Sequence, residues 1–500
     1  MIRDMEFAML TVSYWTYPSF FIYLLSMLLI GLYFYKRSVD VKSFVIGNRK
    51  LGPWVTALSA FASDMSGWLL MGLPGLAYSA GLMEAFWCMA GLLIGSFLNW
   101  ILIAKRLRER SLQLGDAMTI SSYLERRFED DSQIIKRITA VMIIFFFTIY
   151  TSAQFVAGAK LFEVVLGMNY FSGLFITALS LSIYIFLGGY LAVCWTDFFQ
   201  GILMLGALII VPLVALYGAG GVGGIGASVF TIQAANINFL SIFTDGKGSP
   251  ISLVGTLSLL AWGAGYMGQP HILVRFMSIS DPKELKKATA IATSWTFLSM
   301  SMAIIIGIIG FAFVIQNPAH KMIEAEKIFM LLINLTMNPL IGGLMLAAIL
   351  AAAQSTASSQ LLVASSALVE DLLAAPFLKK TKRGDRFLLY MNKMALLLII
   401  FIAIFIAKDP NSSVLSIVSY AWAGLGATLG PVIILSLYWK KMTRPGAIAG
   451  MLVGGISVVV WKNFIAKLGG GFAVYELLPS FILSFLAIII ISKLQKTRVG

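Results

Sequence analysis

The fold class that the sequence predicts is an all-α polytopic membrane protein with thirteen transmembrane helices. Three observations predict it. Of 500 residues, 59% are apolar and only 12% are charged, against about 25% charged in soluble domains. Apolar runs of about 20 residues recur and are apolar on all sides, as bilayer-spanning helices require. The net charge of +14 sits in short basic blocks between those runs. Such spacing marks topology rather than a nucleic-acid surface, and no aromatic–basic motif for nucleic acid is present.

The spans fall at about 18–36, 53–80, 84–104, 134–160, 170–188, 191–217, 251–274, 287–315, 340–369, 387–407, 411–438, 445–465 and 474–492. An odd count puts the termini on opposite sides. With the C-terminus in the cytoplasm, 29 of the 37 Lys and Arg residues lie inside and 8 outside, the bias that the positive-inside rule expects. The N-terminal MIRDMEF carries acids and no cleavage pattern, so no removed signal peptide is expected. The tail after the last span is too short for a fused module. Cys88 and Cys194 lie in or beside apolar runs and read as small hydrophobes. His271 and His320 are too few and too far apart for a metal site. GAGGVGGIG, opening the loop 218–250, formally contains a dinucleotide-type glycine pattern. It follows an apolar helix instead of joining a strand to a helix, so it reads as a flexible exit.

Three stretches carry chemistry. In A62-S-D-M-S-G-W68, Asp64 is the only charge between Pro53 and Ala80. A carboxylate at mid-membrane costs about 2.5–3.5 kcal/mol on insertion scales. It reads either as a cation or proton site or as a hydrogen bond to a neighbouring helix. Ser63, Ser66, Gly67, Gly72, Pro74 and Gly75 around it weaken the helix, which frees carbonyl oxygens for a monovalent cation. In A351-A-A-Q-S-T-A-S-S-Q360, the adjacent Ser355 and Thr356 offer hydroxyl ligands, or else bond back to their own helix. In AWGAGYMGQP, residues 261–270, three glycines and Pro270 argue for a second interrupted helix. Trp262 and Tyr266 there share one face if the turn is intact, and form an aromatic wall or pack at an interface. Interrupted helices at matching places in two halves point to an inverted-repeat transporter. The halves are 53–217 and 251–438, joined by the outer loop 218–250. One helix and its loop (1–52) precede them, and two helices with a short tail (439–500) follow.

Lesser features are Asp197 near the cytoplasmic start of the sixth span, a relay or a solvated end, and Tyr150, where MIIFFFTIY passes into the more polar T151-S-A-Q154. Arg49 reads as an anchor for the cytoplasmic end of the first core helix.

The strings V55-TALSAFASDMSGWLLMGLPG-L76, W262-GAGYMGQPHILVRF276 and S419-YAWAGLGATLGPV432 resemble the proline-carrying members of the sodium–solute symporter family. The resemblance extends to R127-FEDDS132 and L187-GGYLAVCWTD197 and covers nearly the whole chain. It implies a five-plus-five inverted-repeat core with broken helices, LeuT-like, in a bacterial plasma membrane. It implies uptake of L-proline with Na+ by alternating access, with no enzymatic step. Carried onto this sequence, it makes the carbonyls of Ala62, Met65 and Ala352 and the hydroxyls of Ser355 and Thr356 ligands of Na+. Asp64 then supports high-affinity use of Na+. Tyr150, Trp262, Tyr266 and Pro270 fall at positions tied to proline, Ser66 at one tied to both ligands, and Asp197 on the ion pathway. Gln354, Ala357 and Ser359 depart from the pattern and leave the Ser-Thr pair intact. Rival readings are the same carrier fold for another solute (pantothenate, another amino acid or a carboxylate), a solute sensor, or a channel. A hydrolase would need paired catalytic carboxylates or histidines at depth, which the sequence lacks.

Overall fold

A computed structural model describes residues 13–35, 41–218, 220–224, 227, 238–245, 248–317, 324–373 and 382–499. Arg3, Lys36, Arg37, Lys247, Lys321, Lys379 and Lys380, which enter the topology count, lie outside the described residues, as do His320 and part of the glycine-rich loop. Among the described residues the secondary structure is helical, with two isolated bridges, Leu51 to Ile279 and Thr244 to Pro250.

The principal helices are α1 (Tyr17–Tyr35), α2 (Pro53–Ala62), α3 (Leu73–Ala80), α4 (Leu82–Leu98), α5 (Ile134–Leu166), α6 (Tyr170–Gly218), α7 (Leu253–Leu260), α8 (Pro270–Ser278) and α9 (Leu285–Gln316). They continue with α10 (Ile328–Thr336), α11 (Pro339–Ser366), α12 (Lys382–Ile406), α13 (Val414–Tyr438), α14 (Arg444–Val460) and α15 (Leu477–Val499). Ten described helical stretches are long and apolar enough to cross a membrane. Three shorter apolar ones, Pro53–Ala62, Tyr170–Ile183 and Leu253–Gly268, fall within the remaining expected spans. The expected spans 170–188 and 191–217 are two helical segments of α6, parted at Gly189, whose φ 63° and ψ −165° are non-helical and open to glycine. The short α10, and the helices Val41–Ile46, Lys105–Gln113 and Ile120–Arg127, are not foreseen from the apolar runs. They are too short or too polar to register as spans.

Both interrupted helices are present. α2 begins with Pro53, whose missing N–H is no loss in a first turn, and stops at Ala62. Residues 63–66 leave the helix, and the chain re-enters it through a wide turn, Trp68–Gly72. Gly72, Pro74 and Gly75 therefore do not make the break. Pro74 sits in the first turn of α3, where proline is tolerated. The second break is a 3₁₀ stretch, Ala261–Gly268, then extended Gln269, with Pro270 opening α8.

α11 lies at the centre, packed on α1, α5 and α6. The Ser19 hydroxyl donates to the Leu340 carbonyl at 2.6 Å, fastening α1 to the start of α11. α13 packs on the Ala261–Gly268 stretch and α5, and α14 pairs with α15 outside them. The helix α4 meets the second break backbone to backbone: a Cβ built on Gly95 lies 2.1 Å from the Gly263 carbonyl oxygen.

The two ends of the bundle are tied differently. At the end where α2 starts, buried Arg49 donates through Nε to Asp116 Oδ1 at 2.8 Å, and through Nη2 to the Ala117 carbonyl at 2.8 Å. Its Nη1 reaches the Ser111 hydroxyl at 3.2 Å and the Met277 carbonyl. Arg49 thus anchors this end of the first broken helix, as expected, and also clamps the end of the second. At the opposite end Lys160 bonds Glu324 and Glu326. Glu326 accepts from Ser413 Oγ at 2.9 Å, Val414 N at 3.3 Å and Leu415 N at 3.2 Å, capping α13 with a carboxylate where the helix dipole favours one.

Two outcomes follow from these contacts. Gly95→Ala forces two backbones apart and destabilises the folded protein by about 1–3 kcal/mol, read as a lower unfolding midpoint in detergent. Asp116 lies in a loop beyond the spans; partial burial pushes its carboxyl up, but Lys42 and Arg49 hold it below its ordinary value. A carboxylate depressed on folding contributes stability above its unfolded pKa of about 3.9, and that contribution fades as pH falls through the folded value. Asp116→Asn therefore lowers the unfolding midpoint at pH 7, and the gap to the parent protein narrows below about pH 4.

Candidate functional site

Unwinding residues 63–66 deprives the Ala62 carbonyl of its helical partner: Ser66 N, which a continuous helix would direct to it, donates to the Asp64 carbonyl at 2.9 Å instead. The freed oxygen points at α11. Ser355 Oγ donates to it at 2.6 Å and Thr356 Oγ1 at 3.5 Å. Ser355 Oγ also lies 3.1 Å from the Ala352 carbonyl. The two readings of these hydroxyls, bonding back to their own helix and reaching across it, hold together for Ser355. The Gly67 amide, just past the break, donates to Gln154 Oε1 at 3.1 Å. Gln154 is a site residue that sequence reasoning passed over; its signal was its place in the polar T151-S-A-Q154.

The second break meets the first. The Tyr266 hydroxyl donates to Asp64 Oδ2 at 2.6 Å, so Asp64 makes the inter-helix hydrogen bond that its bland reading foresaw. A 3₁₀ stretch has three residues per turn, which sets residues four apart on faces about 120° apart. Trp262 and Tyr266 accordingly do not share a face: the condition of an intact α-helical turn is not met here. Trp262 stacks on Tyr475 with centroids 5.1 Å apart and has Trp68 at 6.4 Å. Tyr266 sits edge-on to Trp422 at 5.0 Å. Trp422 Nε1 donates to the Trp262 carbonyl at 2.8 Å, fixing the 3₁₀ stretch against α13. Ser66, Met65 and Tyr150 are wholly buried at the first break, and the Tyr150 phenol has Ser66 and Asp64 as neighbours. Pro270 is buried as the first residue of α8.

Asp197 is not a solvated end. It is fully buried, and its Oδ2 lies 3.1 Å from Arg275 Nη2. The same oxygen accepts from Ser59 Oγ at 2.8 Å and Ser359 Oγ at 3.2 Å. Arg275 also donates to Ser59 Oγ at 3.1 Å, to the His271 carbonyl at 2.8 Å and to Ser359 Oγ. This cluster ties α2, α6, α8 and α11 together. Arg275 and Ser59 carry no signal in the sequence beyond a lone charge and a lone hydroxyl in apolar runs. Among the expected residues, Ala62, Ala352, Ser355 and Thr356 come together at the first break, Asp64 and Tyr266 link the breaks, and Asp197 stands in its own cluster.

A helical bundle with two broken helices meeting at buried oxygens is the architecture of a secondary transporter. Solved structures agree on the fold. A substrate-bound, outward-open Na+-coupled sialic acid symporter superposes with a TM-score of 0.80 at 22% identity, covering 96% of this chain and 98% of its own. MhsT in complex with L-phenylalanine gives 0.51 at 13% identity, covering 87% and 97%. The fold is LeuT-like. The sodium:solute symporter family model matches residues 44–454, and the chain belongs to that family. Relatives include the osmoregulated proline transporter OpuE and the high-affinity proline transporter PutP, both of Bacillus subtilis (strain 168). Each is 44% identical, covering 95% and 94% of this chain and 94% and 96% of the relative. A sodium/proline symporter of Staphylococcus aureus (strain NCTC 8325 / PS 47) is 41% identical over 96% of this chain and 93% of its own. The chain is a multi-pass plasma-membrane protein.

Removing one partner of a buried ion pair costs about 3–5 kcal/mol because the other charge is stranded. Arg275→Met lowers stability by that amount, and adding Asp197→Asn restores a large part of it. Unfolding midpoints of the parent, both single variants and the double variant measure the coupling.

Proposed function

We propose that the protein is a secondary active transporter, not an enzyme, that couples inward Na+ flux to L-proline uptake by alternating access. One observation carries the cation half: the carbonyl freed at Ala62 converges with the hydroxyls of Ser355 and Thr356 and the carbonyl of Ala352. An all-oxygen donor set shared by a carbonyl and hydroxyls suits a hard monovalent cation. The Met65 carbonyl completes the set, and Asp64, held by Tyr266, supplies a nearby negative charge. The solute half is supported by the relatives, which are proline transporters by name. Proline's apolar ring suits the aromatic side chains of Tyr266 and Tyr150 beside the first break, with Trp262 on the adjoining face of the second. Ser66 and Pro270 complete the solute site, and Asp197 lies on the ion path toward the Arg49 end.

The three shorter apolar helices also cross, which makes thirteen spans, with the N-terminus outside and the C-terminus cytoplasmic. The excess of basic residues on one side supports this orientation. The halves 53–217 and 251–438 form the inverted repeats. The Arg49 clamp then closes the cytoplasmic end, and Lys160 with Glu326 the outer end.

Coupling follows from the shared break. Na+ at the Ala62 carbonyl orders the first broken helix, and through Asp64 and Tyr266 it orders the second, where proline binds. By linkage, proline raises the affinity for Na+ by the same factor. The membrane potential adds about 2.3 kcal/mol per charge per 100 mV for inward movement.

The test is radiolabelled L-proline uptake into proteoliposomes, with and without an inward Na+ gradient. Accumulation above equilibrium is expected only with the gradient; absence of any overshoot with folded, oriented protein sinks the proposal. In the same assay Ser355→Ala raises the Na+ concentration for half-maximal uptake by about tenfold or more, for a lost interaction of about 1.4 kcal/mol. Trp262→Ala weakens proline affinity more than it changes the Na+ requirement.

A further inference from the structure

An apolar groove of about 550 Å³ runs between α2, α6 and α9, away from the candidate site. Its walls are Trp54 and Leu58 of α2, Phe198 and Ile202 of α6, and Ile291 and Ser294 of α9, among others. The volume is that of a ligand cleft, but the groove opens sideways onto the lipid-facing surface: Trp54 is 52% and Ile202 50% exposed. The wall on α9 continues to Leu298. Residues 291, 294 and 298 form one stripe at helical spacing, and Lys287 starts that stripe one turn earlier. From Lys287 to Leu298 the helix rises about 16 Å, roughly one leaflet of a 30 Å hydrocarbon core.

The groove is charged at one end only. Lys286 and Lys287 are exposed in the first turn of α9, directly before the groove-lining Ala290 and Ile291. Lys50 is exposed four residues before Trp54. The chain brings the two sources together: Leu51 N donates to the Ser278 carbonyl at 3.2 Å, and Ser280 N to the Leu51 carbonyl at 2.9 Å. No ion pair among the described residues engages Lys50, Lys286 or Lys287. Asp281 and Glu284 on the same connection offset part of the charge, yet with Lys283 the balance stays positive. The exposed indole of Trp54 sits where this apolar wall meets the lysines, the position tryptophan favours at a membrane interface.

We propose that this groove is a binding site for an anionic phospholipid, with an acyl chain in the groove and the phosphate headgroup on Lys50, Lys286 and Lys287. A basic pocket between membrane helices is the chemistry that recognises such headgroups. A sealed cavity would suit a soluble ligand and a flat surface would suit bulk lipid; a one-leaflet groove ending in lysines matches one lipid molecule. The site depends on the membrane-spanning class alone and not on which solute is carried. Its walls belong to the helix that carries Ala62, the helix that carries Asp197 and α9, the next helix after α8, so an occupant contacts all three.

The experiment is native mass spectrometry of the full-length protein, stripped of lipid in detergent and given an equimolar mixture of phosphatidylglycerol and phosphatidylcholine with the same acyl chains. The parent protein retains phosphatidylglycerol about tenfold or more over phosphatidylcholine, since each lysine near an anionic surface favours association about fivefold. Lys50→Gln/Lys286→Gln/Lys287→Gln brings the two lipids near parity. Lys440→Gln/Lys441→Gln, which removes exposed lysines elsewhere, leaves the preference intact. Ser294→Trp fills the groove without changing charge and lowers retention of the anionic lipid. Equal retention of both lipids by the parent overturns the site, as does an unchanged preference in the triple lysine variant. A disulfide-linked dimer through Ser294→Cys that displaces lipid assigns the groove to a second copy and overturns it too. None of these readouts needs an ion gradient, so they stand apart from any failure of the uptake assay.

Discussion

A helix that stops inside a membrane must hand its unpaired backbone groups to neighbours, because lipid offers them nothing. The rest of this structure follows from that constraint at residues 63–66. The Ala62 carbonyl goes to Ser355, the Gly67 amide to Gln154, and the Asp64 carboxylate to Tyr266. Each partner comes from a different element: α11, α5 and the second break. A carbonyl left alone at this depth costs several kcal/mol, so none of the three elements can drift away without exposing that cost. The alanine- and serine-rich composition of α11 follows, since small side chains let it lie close enough to α2 for the short Ser355 hydroxyl to reach the Ala62 carbonyl at 2.6 Å.

The same three hydrogen bonds make the two breaks one mechanical unit. Tyr266 lies in the second break and holds the carboxylate of the first, while Trp422 holds the 3₁₀ stretch from α13. The bundle ends answer to the same helices. Arg49 bridges the start of α2 to the end of α8, and Glu326 caps α13. A change at the central oxygens therefore reaches both ends through helices that are already in contact, with no extra transmission element required.

How much of this was legible in the sequence depends on whether a feature is local. The apolar runs declared the bundle, and Asp64 with its serines declared the first break, because a lone charge in an apolar run has few explanations. The Ser355–Thr356 pair was legible for the same reason. What could not be read was pairing at a distance. Arg275 and Asp197 are 78 residues apart, and either alone resembles the polar end of a span. Glycines at residues 72 and 75 looked like breakers, yet Gly72 ends the wide turn beyond the break and Gly75 is ordinary helix, since glycine permits a break without demanding one. For Trp262 and Tyr266, the glycines and Pro270 announced an interruption but not its form, and a 3₁₀ stretch is the form that puts the two residues on different faces.

The buried pair Asp197–Arg275 shows how far the logic of satisfied polarity extends. An ion pair at this depth is weak evidence of stability, because desolvation offsets the attraction. This one is surrounded by hydroxyls from two further helices, Ser59 of α2 and Ser359 of α11, both on the same carboxylate oxygen. The other oxygen, Asp197 Oδ1, is buried without a hydrogen-bond partner among the described residues. Ser59 lies three residues before Ala62, and Ser359 four after Ser355, so one turn separates this cluster from the freed carbonyl along both helices. The helix pair α2–α11 is thus linked twice, once directly, hydroxyl to carbonyl, and once through the Asp197 carboxylate of α6, which accepts from a serine of each. Moving α2 against α11 therefore disturbs both junctions, which lie one turn apart along each helix.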